Sequence, residues 1–262
     1  NRVVDVQMKD NAGNIATISD TISYDATMPT GTISINSGAV YATTSSVALS
    51  LEYGAIGDVA SIALSNNGVS WTVISGTPSS YSNWTLNGSD GTKLVYLKIS
   101  DASGLQATYA DSIILDRQGP SCRVLVNEDD LYTNNGTVTL SISAGDEITG
   151  VGSMSLSNNG AAWSAWQTYQ AGTVSWSLIN GAGSSSVNGY RYVSVRFMDN
   201  AGNIAGTSTD RIMYDDTIPQ GTITINEAAT YTISRQVRLN SSWADNAAGV
   251  EYARFGTSAG TL

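Results

Sequence analysis

Aspartate is the residue type whose spacing in this chain could do chemistry. Asp25, Asp116 and Asp215 each stand four residues before a proline (Pro29, Pro120, Pro219), and Asp215 is followed by Asp216. Asp10, Asp101 and Asp199 open three related segments, Asp10-Asn-Ala-Gly-Asn14, Asp101-Ala-Ser-Gly-Leu105 and Asp199-Asn-Ala-Gly-Asn203. Asp146 and Asp245 lie five residues before the valine of a Gly-Val pair (Val151, Val250). Carboxylates that recur this way suit Ca²⁺, which takes six to eight hard oxygen ligands. Aspartates in Gly-containing turns equally suit a structural role, accepting hydrogen bonds from turn amides. No dense D-x-D-x-D loop decides between the two, so calcium is the one cofactor to test and none is required by a motif.

Aromatic side chains are the second group. Trp71 and Trp84 return as Trp163 and Trp176, each displaced by 92 residues, so they are expected in the core. Trp166 and Trp243 have no tryptophan equivalents elsewhere, and with Tyr190 and Tyr192 they are the candidates for a sugar- or protein-contacting patch. Cys122, the only cysteine, stands where other copies have Gly31 and Gly221, and is expected to be a tolerated free thiol.

Other chemistry is excluded or unexpected. The 262 residues include no histidine, so there is no His base, triad or His metal ligand. One cysteine rules out intrachain disulfides and cysteine-only metal clusters. A net charge of −10 argues against nucleic acid and anionic lipid as partners, and no stretch is long and apolar enough for membrane insertion. Carboxylate pairs can hydrolyse glycosides without histidine. Here, however, the acids repeat along the chain, whereas a catalytic pair is expected once, in one cleft. The chain is therefore not expected to be an enzyme.

What must position these residues is an internal repeat. The Asp10, Asp101 and Asp199 segments are spaced by 91 and 98 residues, the three prolines by 91 and 99, and Tyr41, Tyr132 and Tyr231 by the same intervals as the prolines. Ser65-Asn-Asn-Gly68 returns as Ser157-Asn-Asn-Gly160, and an insertion at Gly183 to Asn188 lengthens the later copy. The division expected is 1–29 (end of a repeat), 30–120 and 121–219 (complete repeats) and 220–262 (start of a repeat). Apolar residues alternate within each: Val47, Leu49 and Leu51 correspond to Val138, Leu140 and Ile142, and Val95, Leu97 and Ile99 to Val193, Val195 and Phe197. Period two means strands with one buried face, hence an all-β, largely antiparallel fold. Asn67-Gly68 and Asn159-Gly160 read as tight hairpin turns. The strand pattern already running at Val4, Val6 and Met8, and a hairpin about to turn at 256–262, suggest a piece of something longer.

These motifs, with "DGTKLVYLKISD", "GYRYVSVRFMDNAGN", "YDATMP", "LDRQGP", "YDDTIP", "GTISIN" and "GTITIN", give the chain a resemblance to the tandem immunoglobulin-like repeats of large bacterial secreted and cell-surface proteins. The resemblance implies a tandem array of Ig-like (fibronectin III-like) antiparallel β-sandwich domains at an extracellular or cell-surface location. It implies a stalk or spacer whose partners are neighbouring repeats of the same longer chain. It also implies calcium at module junctions, held by Asp10, Asp25, Asp101, Asp116, Asp199, Asp215 and Asp216. Leu105 and the Leu115-Asp-Arg-Gln-Gly-Pro120 segment depart from the pattern and put a shared ligand site of the middle copy in question. Two alternatives remain open: an adhesive module binding glycan or protein, and a fibre subunit that assembles by strand exchange between its partial ends.

Overall fold

A computed structural model describes residues 1–54 and 59–256, so the turn expected at 256–262 lies almost wholly outside the described residues. The chain forms two compact units, Asn1–Arg117 and Gln118–Leu262. Among the described residues the first is built from strands alone and the second from strands and two short 3₁₀ turns, Asn127–Asp129 and Asn226–Ala228, in keeping with the alternation.

In the first unit, β1 (Arg2–Lys9) and β2 (Ile15–Ile22) form an antiparallel hairpin. After Pro29 come β3 (Gly31–Ile35), β4 (Tyr41–Ala42), β5 (Ser46–Tyr53), β6 (Val59–Ser65), β7 (Thr72–Ile74), β8 (Ser80–Thr85), β9 (Gly91–Asp101) and β10 (Gln106–Leu115). They make two sheets, β3-β5-β8 and β4-β10-β9-β6-β7. All pairings are antiparallel except that of the two-residue β4, which runs parallel to β10. One core joins the sheets: Ile35, Leu49, Leu51, Leu64, Leu97 and Ile99 are among its fully buried members. Each such side chain contributes about 1.5–3 kcal/mol relative to exposure.

The second unit repeats the plan. Its strands are β11 (Ser121–Val126), β12 (Tyr132–Thr133), β13 (Thr137–Gly145), β14 (Val151–Ser157), β15 (Gln167–Thr168), β16 (Gly172–Ser177), β17 (Gly189–Asp199) and β18 (Ser208–Tyr214), then the hairpin β19 (Gln220–Ile225) and β20 (Leu239–Ala244). The sheets are β11-β13-β16, β12-β18-β17-β14-β15 and β19-β20. Phe197 is fully buried at the centre of the core, with the Tyr169 ring edge-on at 5.3 Å. Even the irregularities recur, since β6 slips against β9 between Val59 and Ser61 as β14 does against β17 between Val151 and Ser153. An aspartate closes one side of each sandwich: Asp111 Oδ2 accepts the Ile35 amide at 2.8 Å, and Asp210 Oδ2 the Val126 amide at 2.7 Å.

Strands β1, β2, β19 and β20 are exposed on both faces. Val4, Val6 and Met8 occupy the sequence positions that Val95, Leu97 and Ile99 fill in β9, where a second sheet covers them. Their exposure is that of a core face with no second sheet over it among the described residues.

Candidate functional site

The three aspartates that open Gly-containing turns share one backbone geometry. The amides of Asp10, Asp101 and Asp199 donate to the carbonyls of residues 14, 105 and 203, and Gly13, Gly104 and Gly202 take φ of 97°, 93° and 100°. Only glycine adopts that conformation without strain. Their carboxylates differ. Asp10 Oδ1 accepts the Asn14 amide and Oδ2 the Asn14 side-chain Nδ2, both at 2.8 Å. Asp199 Oδ1 accepts the amides of Gly202 (2.6 Å) and Asn203 (2.8 Å), and Oδ2 the Asn203 Nδ2 at 2.8 Å. In both, asparagine occupies the outer oxygen.

Asp101 lacks that donor because Leu105 stands in the asparagine position. Its Oδ1 accepts the Ser103 amide (2.9 Å), the Ser103 hydroxyl (2.7 Å) and the Leu105 amide (2.8 Å). Its Oδ2 is buried and has no hydrogen-bond partner among the described residues. The residue is only 5% exposed. Burial pushes the Asp101 carboxyl up, but the bonds from Ser103 and Leu105 outweigh it and hold the group below its ordinary value. A buried, ionised oxygen without a partner is costly and calls for a cation or a donor. Asp101 lines a cleft of about 380 Å³ with Asp25, Thr27, Pro29, Thr30 and Gly54. Asp25 is exposed there and accepts the Thr27 amide at 2.9 Å, which leaves carboxylate capacity for a ligand.

The other aspartates have hydrogen bonds of their own. In the second unit, Asp215 is buried and Oδ1 accepts the Thr217 hydroxyl (2.6 Å) and amide (3.1 Å) and Asn188 Nδ2 (2.5 Å), while Oδ2 accepts the Ala248 amide (2.8 Å). These bonds, led by the Thr217 hydroxyl, hold its pKa down at about 2. Asp245 accepts the amides of Ala247 and Gly249. Asp146 accepts those of Ile148, Thr149 and Gly150. Exposed Asp216 accepts the Tyr214 hydroxyl at 3.0 Å, and burial followed by this bond raises the Tyr214 pKa. Asp116, fully buried, follows β10, and its amide donates to the Ala42 carbonyl.

The repeated tryptophans divide. Trp84 is buried and its Nε1–H donates to Asn66 Oδ1 at 2.8 Å, while Asn66 Nδ2 donates to the Thr85 carbonyl at 2.9 Å. Trp176 and Asn158 make the same pair of bonds, at 2.8 and 2.9 Å, the second to the Ser177 carbonyl. The first asparagine of Ser-Asn-Asn-Gly thus pins a loop of one sheet to a strand of the other. Trp71 and Trp163 correct the core expectation: both are partly exposed, with Lys98 Nζ 4.4 Å from the Trp71 ring and Arg196 Cζ 4.3 Å from the Trp163 ring. The motif also differs from a tight Asn-Gly hairpin. Gly68 alone is left-handed (φ 70°), and Asn67 Oδ1 instead accepts the Val69 and Ser70 amides, both at 2.9 Å.

Trp166, Tyr190 and Tyr192 are exposed on one sheet of the second unit. Trp243 lies elsewhere, opposite Gly221, at the register position that Tyr53 holds opposite Gly31 and Ala144 holds opposite Cys122. Tyr53 and Ala144 pack against their cores. A small residue faces a large one in two copies, and Cys–Ala replaces the pair in the third, which accounts for Cys122 as packing. Burial raises the thiol pKa, and Sγ lies 3.0 Å from the Gly206 carbonyl.

The architecture defines an all-β chain of repeated sandwiches. No family model matches it, and no curated protein does. Similar solved structures include fibronectin(III)-like modules of Clostridium thermocellum CbhA (11% identity, covering 70% of this chain and 93% of that one, TM-score 0.38). A tetra-tandem repeat in the extending region of a large adhesion protein is 18% identical, covering 93% of this chain and 63% of that one (TM-score 0.28). A 1.5-MDa bacterial ice-binding adhesin is 22% identical, covering 82% and 75% (TM-score 0.37).

Proposed function

We propose that the chain is a non-catalytic structural segment, a stalk or spacer of a bacterial surface or secreted protein, organised as 1–29, 30–120, 121–219 and 220–262, with calcium stiffening its junctions. The observation that carries the cation is the ionised Asp101 Oδ2, buried without a hydrogen-bond partner among the described residues, in one cleft with Asp25. Two carboxylates near Thr27 and Thr30 are a hard-oxygen donor set, which suits Ca²⁺ rather than a softer metal. Asp25 belongs to the segment before Pro29 and Asp101 to the end of β9, so an ion shared by them ties the linker to the sandwich. The Tyr109 hydroxyl, which donates to the Pro29 carbonyl at 2.9 Å, makes a second tie at the same place. The spacer reading is supported by two complete cores of one design, each closed by its own sheets. Calcium titration of the full chain, with thermal melting before and after chelator, tests the proposal. Calcium raising the melting temperature and chelator reversing it is the expected result; no change with either overturns the cation role.

A further inference from the structure

We propose that the outer face of the β12-β18-β17-β14-β15 sheet binds an anionic polysaccharide, one whose sugars carry carboxylates. Alternation along β17 puts Tyr190, Tyr192, Ser194 and Arg196 on the side away from the core that Val193, Val195 and Phe197 fill; Tyr190 and Tyr192 are exposed, Arg196 is half-buried, and Ser194 is buried with its hydroxyl bonded to that of Thr209. Arg196 lies between two indoles, its Cζ 4.3 Å from the Trp163 ring and 4.8 Å from the Trp166 ring. Its Nε is buried without a hydrogen-bond partner among the described residues. On the neighbouring strand Arg211 stands opposite Tyr192, with its Cζ 5.0 Å from the Tyr190 ring. The face therefore carries two arginine–aromatic clusters, separated along the strand by four residues, or about 13 Å. That spacing suits an extended polymer touching both.

The charge is one-sided. The outward positions of β14, β17 and β18 are serines, Tyr190, Tyr192, Arg196, Met198, Thr209, Arg211 and Met213, with no carboxylate among them. Asp210 turns the other way, onto the Val126 amide. A chain with 22 acidic and 12 basic residues has thus assembled a face with two cations and no acid, which complements an anion. Guanidinium groups held over rings can still form two-pronged bonds to carboxylates. Trp166, Tyr190 and Tyr192, 36%, 53% and 48% exposed, offer flat apolar surfaces for sugar rings.

The first unit shows that the sandwich does not need this display. It keeps Lys98 over Trp71, but Thr92 and Leu94 stand where Tyr190 and Tyr192 do, and Ser112, opposite Leu94, where Arg211 does. The test is titration of the full chain with hyaluronan fragments in chelator, followed by tryptophan fluorescence and calorimetry, with neutral dextran and polyglutamate as comparison polymers. The triple variant Tyr190→Thr, Tyr192→Leu, Arg211→Ser installs the first unit's residues, and Trp166→Ala is a second, independent variant; melting curves establish that each is folded. The expected result is hyaluronan binding that weakens at least tenfold in both variants and with rising salt, with no binding of dextran. Unchanged binding in either folded variant, absence of hyaluronan binding, equal binding of dextran, or polyglutamate binding as tight as hyaluronan overturns the proposal.

Discussion

Leu105→Asn is the sharpest perturbation the Asp101 turn offers. The turns around Asp10 and Asp199 already hold asparagine at this position in the same backbone geometry, with its Nδ2 2.8 Å from the aspartate Oδ2. The substitution therefore gives Asp101 Oδ2 the donor that it lacks among the described residues and removes it as a cation ligand. Leu105 is only half-buried and outside the core, so little packing is lost. A ligand that binds only the folded state stabilises it by about 1.4 kcal/mol for each tenfold excess above its dissociation constant. In a module of this size 1 kcal/mol moves the melting temperature by about 4–8 °C, so the first unit's transition in the native sequence should rise about 6–11 °C per decade of free calcium. For the variant, calorimetry of the full chain should show that rise lost from the first unit, isothermal titration should show one fewer calcium bound, and the calcium-free transition should lie no lower than in the native sequence. Native stoichiometry and a native calcium response in the variant would show that Asp101 Oδ2 holds no calcium.

Further outcomes follow from the same geometry. Asn66→Ala leaves the buried Trp84 N–H without its partner and should destabilise the first unit by about 1–3 kcal/mol in denaturant unfolding. Trp84→Phe in the same background should cost less than it does alone if the two residues act as a pair. Phe197→Ala empties the centre of the second core and should cost about 3–5 kcal/mol. Asp215, held at about 2 against an ordinary carboxylate value near 4, contributes stability that is present above pH 4 and lost as pH falls towards 2. Acid titration of unfolding in Asp215→Asn should show less loss over that window.

The fold class was legible because period two and the registered repeat speak directly about burial. The residues that alternate in the sequence, from Val47 to Leu51 and from Val193 to Phe197, are core residues in the structure. The parallel pairings of β4 and β12 were not legible, since two residues carry no periodicity. Recurrence misled for Trp71 and Trp163, because a repeat marks any position the module reuses, outer face included. Their signal lay in Lys98 and Arg196, basic residues at matching outward positions of otherwise alternating strands. At the candidate site the sequence displayed the Leu105 departure, but not its consequence. Only the pairing of Asn14 with Asp10 and of Asn203 with Asp199 shows that the asparagine side chain caps the oxygen Asp101 leaves open.

Anomalous diffraction from crystals of the full chain grown with calcium locates any ion held by Asp101. The expected result is a calcium peak in the cleft of Asp25 and Asp101, with Asp101 Oδ2 at about 2.3–2.6 Å. A water at hydrogen-bonding distance from that oxygen, or an empty cleft with calcium in the crystal, would contradict it.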